Sequence, residues 1–175
     1  MELYSSAKAL CLALAMAMAV ATVLVTPCTA QNSPQDFVDL HNAARAEVGV
    51  GEVTWDDTVA AFAQSWAEHL AGDGGCGLQH SSGSGYGENL YGGPGGDWTA
   101  EGAVGLWVAE KQWYDHDSNT CSAPEGDTCL HYTQVVWRDS TTIGCGRAEC
   151  GGDAGGVIIS CNYNPPGNFE GQSPY

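Results

Sequence analysis

The sequence predicts an α+β domain, secreted and stapled by disulfides, and three observations carry that expectation. Runs with helical spacing fill the first part of the chain. Alternating and β-branched runs, separated by glycine turns, fill the last third. Cys76, Cys121, Cys129, Cys145, Cys150 and Cys161 follow an apolar N-terminal leader. An even cysteine count behind a leader marks a disulfide framework built in an oxidising compartment.

The segment Met1–Ala30 reads as a signal peptide. Ala9–Val25 is apolar apart from Thr22, and Cys28-Thr29-Ala30 gives a small-x-small cleavage pattern. A retained anchor is the rival reading. The apolar run is shorter than the roughly 20 residues that span a bilayer, and no basic cluster follows it. The mature chain is expected to start at Gln31, and Gln31–Tyr175 is one domain's length. It keeps Arg45, Lys111, Arg138 and Arg147 against 20 acidic residues, a formal charge of −16. That balance argues against partners that are nucleic acids or anionic membranes, which would be repelled. It suits solubility in an extracellular fluid, and a monomer is expected.

Ser33 is placed to cap a first helix, with Pro34 at its first position and Phe37, Leu40, Ala44 and Val48 as its apolar stripe. Gly49 stops it. A second helix starts at Asp56, carries Val59, Phe62, Trp66 and Leu70, and ends at Gly72. A third runs from about Thr99 to Tyr114, with Val104, Trp107, Lys111 and Tyr114 on one face. Residues 72–97 are rich in Gly and Ser and read as a long irregular connection. Thr133–Trp137 alternates and reads as a strand. So does the apolar run within Gly155–Tyr163.

Cys145–Cys150 and Val157–Cys161 flank a glycine-rich turn. A hairpin centred on Asp153 sets Cys145 directly opposite Cys161, within disulfide reach. Cys121 and Cys129 close a short loop, which leaves Cys76 with Cys150. Six cysteines admit 15 connectivities, so this pairing is an inference. The tail Asn162–Tyr175 is polar, with Pro165, Pro166 and Pro174, and is expected on the surface with Tyr163–Pro166 accessible.

Taken together, the motifs resemble the CAP superfamily, and within it the plant pathogenesis-related class 1 proteins. The resemblance covers the whole mature chain. It rests on Gln31-Asn32-Ser33-Pro34-Gln35-Asp36, His41-Asn42-Ala43-Ala44-Arg45, Thr54-Trp55-Asp56, Gly87-Glu88-Asn89-Leu90, His131 to Trp137, Cys161-Asn162-Tyr163 and the ending Gly171-Gln172-Ser173-Pro174-Tyr175. It implies a three-layer α-β-α sandwich with the disulfides as paired above. It also implies an apoplastic defence protein with antifungal action, and a central cleft of two His and two Glu, here His80, Glu88, Glu110 and His131. These come from a loop, a loop, a helix and a strand start, so spacing alone would not have assembled them.

His80 and His131 each follow a cysteine closely and are held by the staples. Glu88 sits between Gly87 and Asn89, a context that suits a presented side chain. Imidazole and carboxylate are zinc ligand types, so zinc is the candidate cofactor and a hydrolase the enzymatic alternative. The plainer reading is a hydrogen-bonded cluster that fastens three segments together, and a structural or weakly metal-binding cluster, with no cofactor required, is preferred to a catalytic one. No catalytic residue is assigned: Ser81, Ser82 and Ser84 lie in a coil, without the strand-to-helix elbow of a serine nucleophile. His41 reads as a helix-packing or capping residue. The resemblance associates the region of Trp113 and Tyr114 with sterol binding. That aromatic pair fits a sterol or other apolar ligand, whereas the neighbouring Asp115 and Asp117 do not. A third alternative follows from the tail. In the plant class the last eleven residues can be released as a signalling peptide after Cys-Asn-Tyr-Asp. The junction here is Asn164-Pro165, with Asn164 in place of the acid.

Overall fold

A computed structural model describes residues 32–73, 75–95, 98–151 and 155–175. The predicted leader, Gln31 and Asp153 lie outside the described residues.

Helix α1 (Pro34–Glu47) starts as expected. Ser33 and Asp36 form a capping box, each side chain accepting from the other's backbone N–H. Strand β1 (Thr54–Trp55) follows, then helix α2 (Asp57–Ala71), whose N-cap Asp56 accepts from Thr58 and Val59. Strand β2 (Gly87–Gly93) leads to helix α3 (Ala100–Ala109) and a 3-10 turn over Glu110–Trp113. A short hairpin of two-residue strands, β3 (Tyr114–Asp115) and β4 (Thr120–Cys121), precedes helix α4 (Leu130–Val135). Strands β5 (Thr142–Glu149) and β6 (Val157–Asn164) close the fold.

The main sheet has the order β1-β5-β6-β2. Side chains alternate faces along a strand, and β6 shows what each face carries. Val157, Ile159, Cys161 and Tyr163 join one core with Phe37, Val104, Trp107, Tyr132 and Val135 from α1, α3 and α4. Ile158 joins a second core with Leu70 and Ala71 of α2, and Leu90. Helices therefore cover both faces, giving the expected three layers. The α2 layer lies very close to the sheet. A Cβ on Gly144 would stand 2.0 Å from the Ala60 nitrogen, and one on Gly146 2.3 Å from the Gln64 Cα, so glycine is needed at both positions.

The three disulfides are Cys76–Cys150, Cys121–Cys129 and Cys145–Cys161, as inferred. Cys145 opposes Cys161 in the β5–β6 ladder, which is the hairpin register read from the sequence.

Four sequence expectations are corrected. Residues 72–97 are not irregular throughout. Gly87–Gly93 is a strand paired along its length with β6, and its glycines hide the apolar alternation. The third helix does not reach Tyr114. It yields to the 3-10 turn at Glu110, so Lys111 is exposed and Tyr114 belongs to β3. Thr133–Trp137 is not a strand, because Leu130–Val135 is helical and His131 lies in its first turn.

The fourth concerns the end of the chain. Strand β6 runs to Asn164, so Tyr163 is wholly buried rather than accessible, and only Asn164 and Pro165 at the junction are exposed. Beyond the junction the tail is docked on the surface. Arg138 donates to the Pro174 carbonyl, Gly167 to Gln134, Ser140 to the Pro165 carbonyl and Asn119 to the Gln172 carbonyl.

Candidate functional site

The four cleft residues fall into two pairs. Glu88 enters from β2, and its Oε1 lies 2.7 Å from Nδ1 of His80 while accepting the Ser81 N–H at 2.9 Å. Glu110 opens the 3-10 turn, and its Oε1 lies 2.6 Å from Nδ1 of His131. A carboxylate only accepts, so each Nδ1 carries the proton and each Nε2 is left over. His80 and His131 line one cavity of about 280 Å³ with Glu88, Asn89, Thr128, Leu130 and Asn168. Glu110 does not line it.

The pairs differ in depth. The His80 side chain is 63% exposed above a Glu88 that is 6% exposed, whereas His131 and Glu110 are 29% and 12% exposed. Within this buried carboxylate, Glu88 Oε2 has no hydrogen-bond partner among the described residues.

Glu110 has a further task. Its Oε2 accepts the backbone N–H groups of His131 and Tyr132 at 3.0 and 3.1 Å. These are the first-turn donors of α4, and Cys129 at the N-cap supplies no side-chain cap. The other end of α4 is closed by Arg45. The buried guanidinium donates to the carbonyls of Val135, Trp137 and Ser140 on one side and Gly51 on the other. A short helix thus has an anion at its positive end and a cation at its negative end, both supplied from elsewhere in the chain. Burial lowers Arg45 to about 10, so it stays charged at neutral pH.

Behind the cavity runs a buried polar chain. Nδ1 of His41 donates to the Phe37 carbonyl at 2.7 Å, and Nε2 lies 2.9 Å from the Tyr163 hydroxyl. Asn89 donates to that hydroxyl and to the His131 carbonyl, both at 3.0 Å. Burial pushes His41 down to about 4 and pushes Tyr163 up. His41 is therefore neutral, with its proton on Nδ1. Asn42 clamps both the N–H and C=O of Val53. The His41-Asn42-Ala43-Ala44-Arg45 motif is thus architectural. Asn89 and Asn168, which the sequence reading did not select as site residues, line the cavity beside the two imidazoles.

The resemblance grouped Trp113 and Tyr114, and the structure separates them. Trp113 lines a cavity of about 350 Å³ with Leu90, Tyr91, Leu106, Trp107, Ala109, Glu110, Gln112, Asp127 and His131. Tyr114 faces a different cavity of about 220 Å³, between the Cys121–Cys129 staple, α4 and the tail. His131 borders both the apolar cavity and the polar one.

Zinc takes four protein ligands in structural sites and three in catalytic ones. Among the described residues, no group of three or more His, Cys, Asp or Glu is placed to hold a metal ion. Both carboxylates already hold an imidazole from behind, the role of an outer-shell partner. The four residues do not fit as four direct ligands. Two imidazoles backed by carboxylates remain.

The chain matches the model of the cysteine-rich secretory protein family, CAP, over residues 38–163. Pathogenesis-related protein 1A of Nicotiana tabacum is 58% identical over 153 residues, covering 87% of each chain. Pathogenesis-related protein 1 of Arabidopsis thaliana is 51% identical over 152 residues, 87% of this chain and 88% of that one. Among solved structures, venom allergen-like protein 4 of Schistosoma mansoni superposes with a TM-score of 0.63 at 26% identity, covering 81% of this chain and 92% of that one. A family model that spans most of the chain, and plant relatives that share more than half of its residues, place the protein in the CAP family, among the plant pathogenesis-related class 1 proteins.

Proposed function

We propose that this protein works outside the cell as a defence protein with antifungal action, binding a small apolar ligand such as a sterol rather than turning over a substrate. One observation carries the reading. The roughly 350 Å³ cavity is walled by Leu90, Tyr91, Leu106, Trp107 and Trp113, and Leu106 stands 56% exposed. Small-molecule pockets run from about 300 to 1,000 Å³ with mostly apolar walls and a few polar groups. Here Glu110, Gln112, Asp127 and His131 supply the polar groups. A neutral sterol is not repelled by the charge of −16, whereas an anionic headgroup is. Titration with a fluorescent sterol tests this. Leu106→Ser and Trp113→Ala should each weaken binding about tenfold or more. Unchanged affinity in both variants removes the cavity from the proposal. The hydrolase alternative needs metal at His80 and His131. Zinc content of protein purified without chelator, with hydrolysis assayed in His131→Ala, decides it.

The peptide-precursor reading has its own support. Asn164 and Pro165 are exposed, and all three disulfides lie upstream of the junction. Release still requires the docked tail to detach. Asn164→Asp should speed release if the protease reads the acid, and mass spectrometry of extracellular fluid measures it. Equal release from both forms removes that role.

A further inference from the structure

The tail ends in a tyrosine cluster that neither ligand binding nor the His–Glu pairs use. Tyr175 is fixed from several sides. Its ring stacks on His116 with centroids 4.3 Å apart and planes 10° from parallel. Its hydroxyl lies 3.3 Å from that of Tyr132, and its carbonyl accepts from the Ser173 hydroxyl at 2.8 Å. The Tyr114 ring meets it edge-on at 6.4 Å and meets Tyr132 at 6.0 Å. Tyr114 and Tyr175 are half-buried, whereas Tyr132 is buried. The other described tyrosines have no such neighbour: Tyr86 packs on Phe62, Tyr91 on Trp98, and Tyr163 is buried against His41. Among the described residues, tyrosine meets tyrosine in ring contact only here.

We propose that Tyr114 and Tyr175 form an oxidative cross-linking site. A haem peroxidase with hydrogen peroxide supplies the oxidising equivalents. Each phenol gives up one hydrogen atom, and the two radicals join through ring carbons ortho to oxygen. The ortho hydrogens then move to the oxygens and restore both phenols. Two hydrogens leave the protein, and one peroxide becomes two waters. The geometry favours this pair for two reasons. Both rings are partly open to an oxidant, while Tyr132 is enclosed. The stack on His116 also holds the chain end beside its partner, so coupling within one molecule outruns encounters between molecules. The product fastens Tyr175 to the β3–β4 hairpin, and a cut at Asn164-Pro165 then no longer frees the tail.

The test uses the dilute mature full-length protein, peroxidase and limiting peroxide, with free tyrosine as a positive control in a parallel tube. The expected result is blue dityrosine fluorescence in the monomer, a mass lower by two hydrogens, and a linked peptide pair containing Tyr114 and Tyr175. Tyr114→Phe and Tyr175→Phe should each abolish it, and Tyr132→Phe should keep it. Three results overturn the proposal. These are no monomeric dityrosine while free tyrosine couples, a link mapped to Tyr86, Tyr91 or Tyr132, and undiminished yield in Tyr175→Phe.

Discussion

The two His–Glu pairs have nearly the same contact, 2.7 Å in one and 2.6 Å in the other, yet the carboxylates are used differently. Glu110 spends both oxygens: one holds His131, and the other caps the first turn of α4. Glu88 spends one oxygen on His80 and Ser81 and leaves the other buried without a partner among the described residues. A fully satisfied pair is what a structural clasp looks like. A pair with an unspent buried acceptor retains capacity for something outside the chain. His80 with Glu88 and His131 with Glu110 are therefore one open pair and one fastening pair. A third imidazole, His41, sharpens the contrast, because burial pushes it down to about 4 and keeps it uncharged at neutral pH.

The largest expected effect belongs to His41. Its folded pKa lies at about 4, below the ordinary 6.5. Between those values the unfolded chain binds the extra proton and the folded one does not. The contribution to stability is complete above about pH 6.5 and is lost as pH falls toward 4, by up to roughly 3 kcal/mol. Urea unfolding at a series of pH values should show this decline, and His41→Gln should flatten it. An unchanged slope in the variant would assign the decline to other groups.

Next is Glu110→Ala. It leaves the His131 imidazole and two first-turn N–H groups without their acceptor in a setting that is only 12% exposed. Loss of a helix cap together with a charged hydrogen bond should cost roughly 2–3 kcal/mol. Chemical denaturation measures it. A cost below about 0.5 kcal/mol would mean that Glu110 does not fasten α4.

The same residues show which parts of the fold were legible. Ser33, Asp56, Gly72 and the Cys145–Cys161 register are local signals, and local signals survive translation into structure. The sequence around helix α4 reads as a strand because the helix's caps are not local. Glu110 lies 21 residues upstream of His131, and Arg45 lies 90 residues upstream of Val135. With both ends satisfied from afar, six residues can hold a helix that their own sequence does not announce. Strand β2 is hidden in the sequence because its pairing with β6 is a backbone property that glycines do not obscure in space but do obscure in sequence. The site residues came from resemblance. Their division into two unlike pairs depends on which oxygen meets which nitrogen, and no spacing rule encodes that.

The smallest expected effect is the most discriminating. Glu88→Gln keeps an oxygen that accepts from Ser81 and from the His80 Nδ1–H, so the observed contacts survive. It replaces the unpartnered Oε2 by a neutral amide and removes the cost of keeping a charge buried. The loss of a charged partner for His80 offsets part of that gain, and this loss is small because His80 is 63% exposed. Stability should therefore change by less than about 1 kcal/mol, in contrast with Glu110→Ala. Thermal unfolding of the two variants beside the parent measures both. A cost above about 2 kcal/mol for Glu88→Gln would mean that Oε2 holds a partner in solution whose loss the amide cannot replace. Glu88 would then be a fastener like Glu110, and the distinction between an open pair and a closed one would fail.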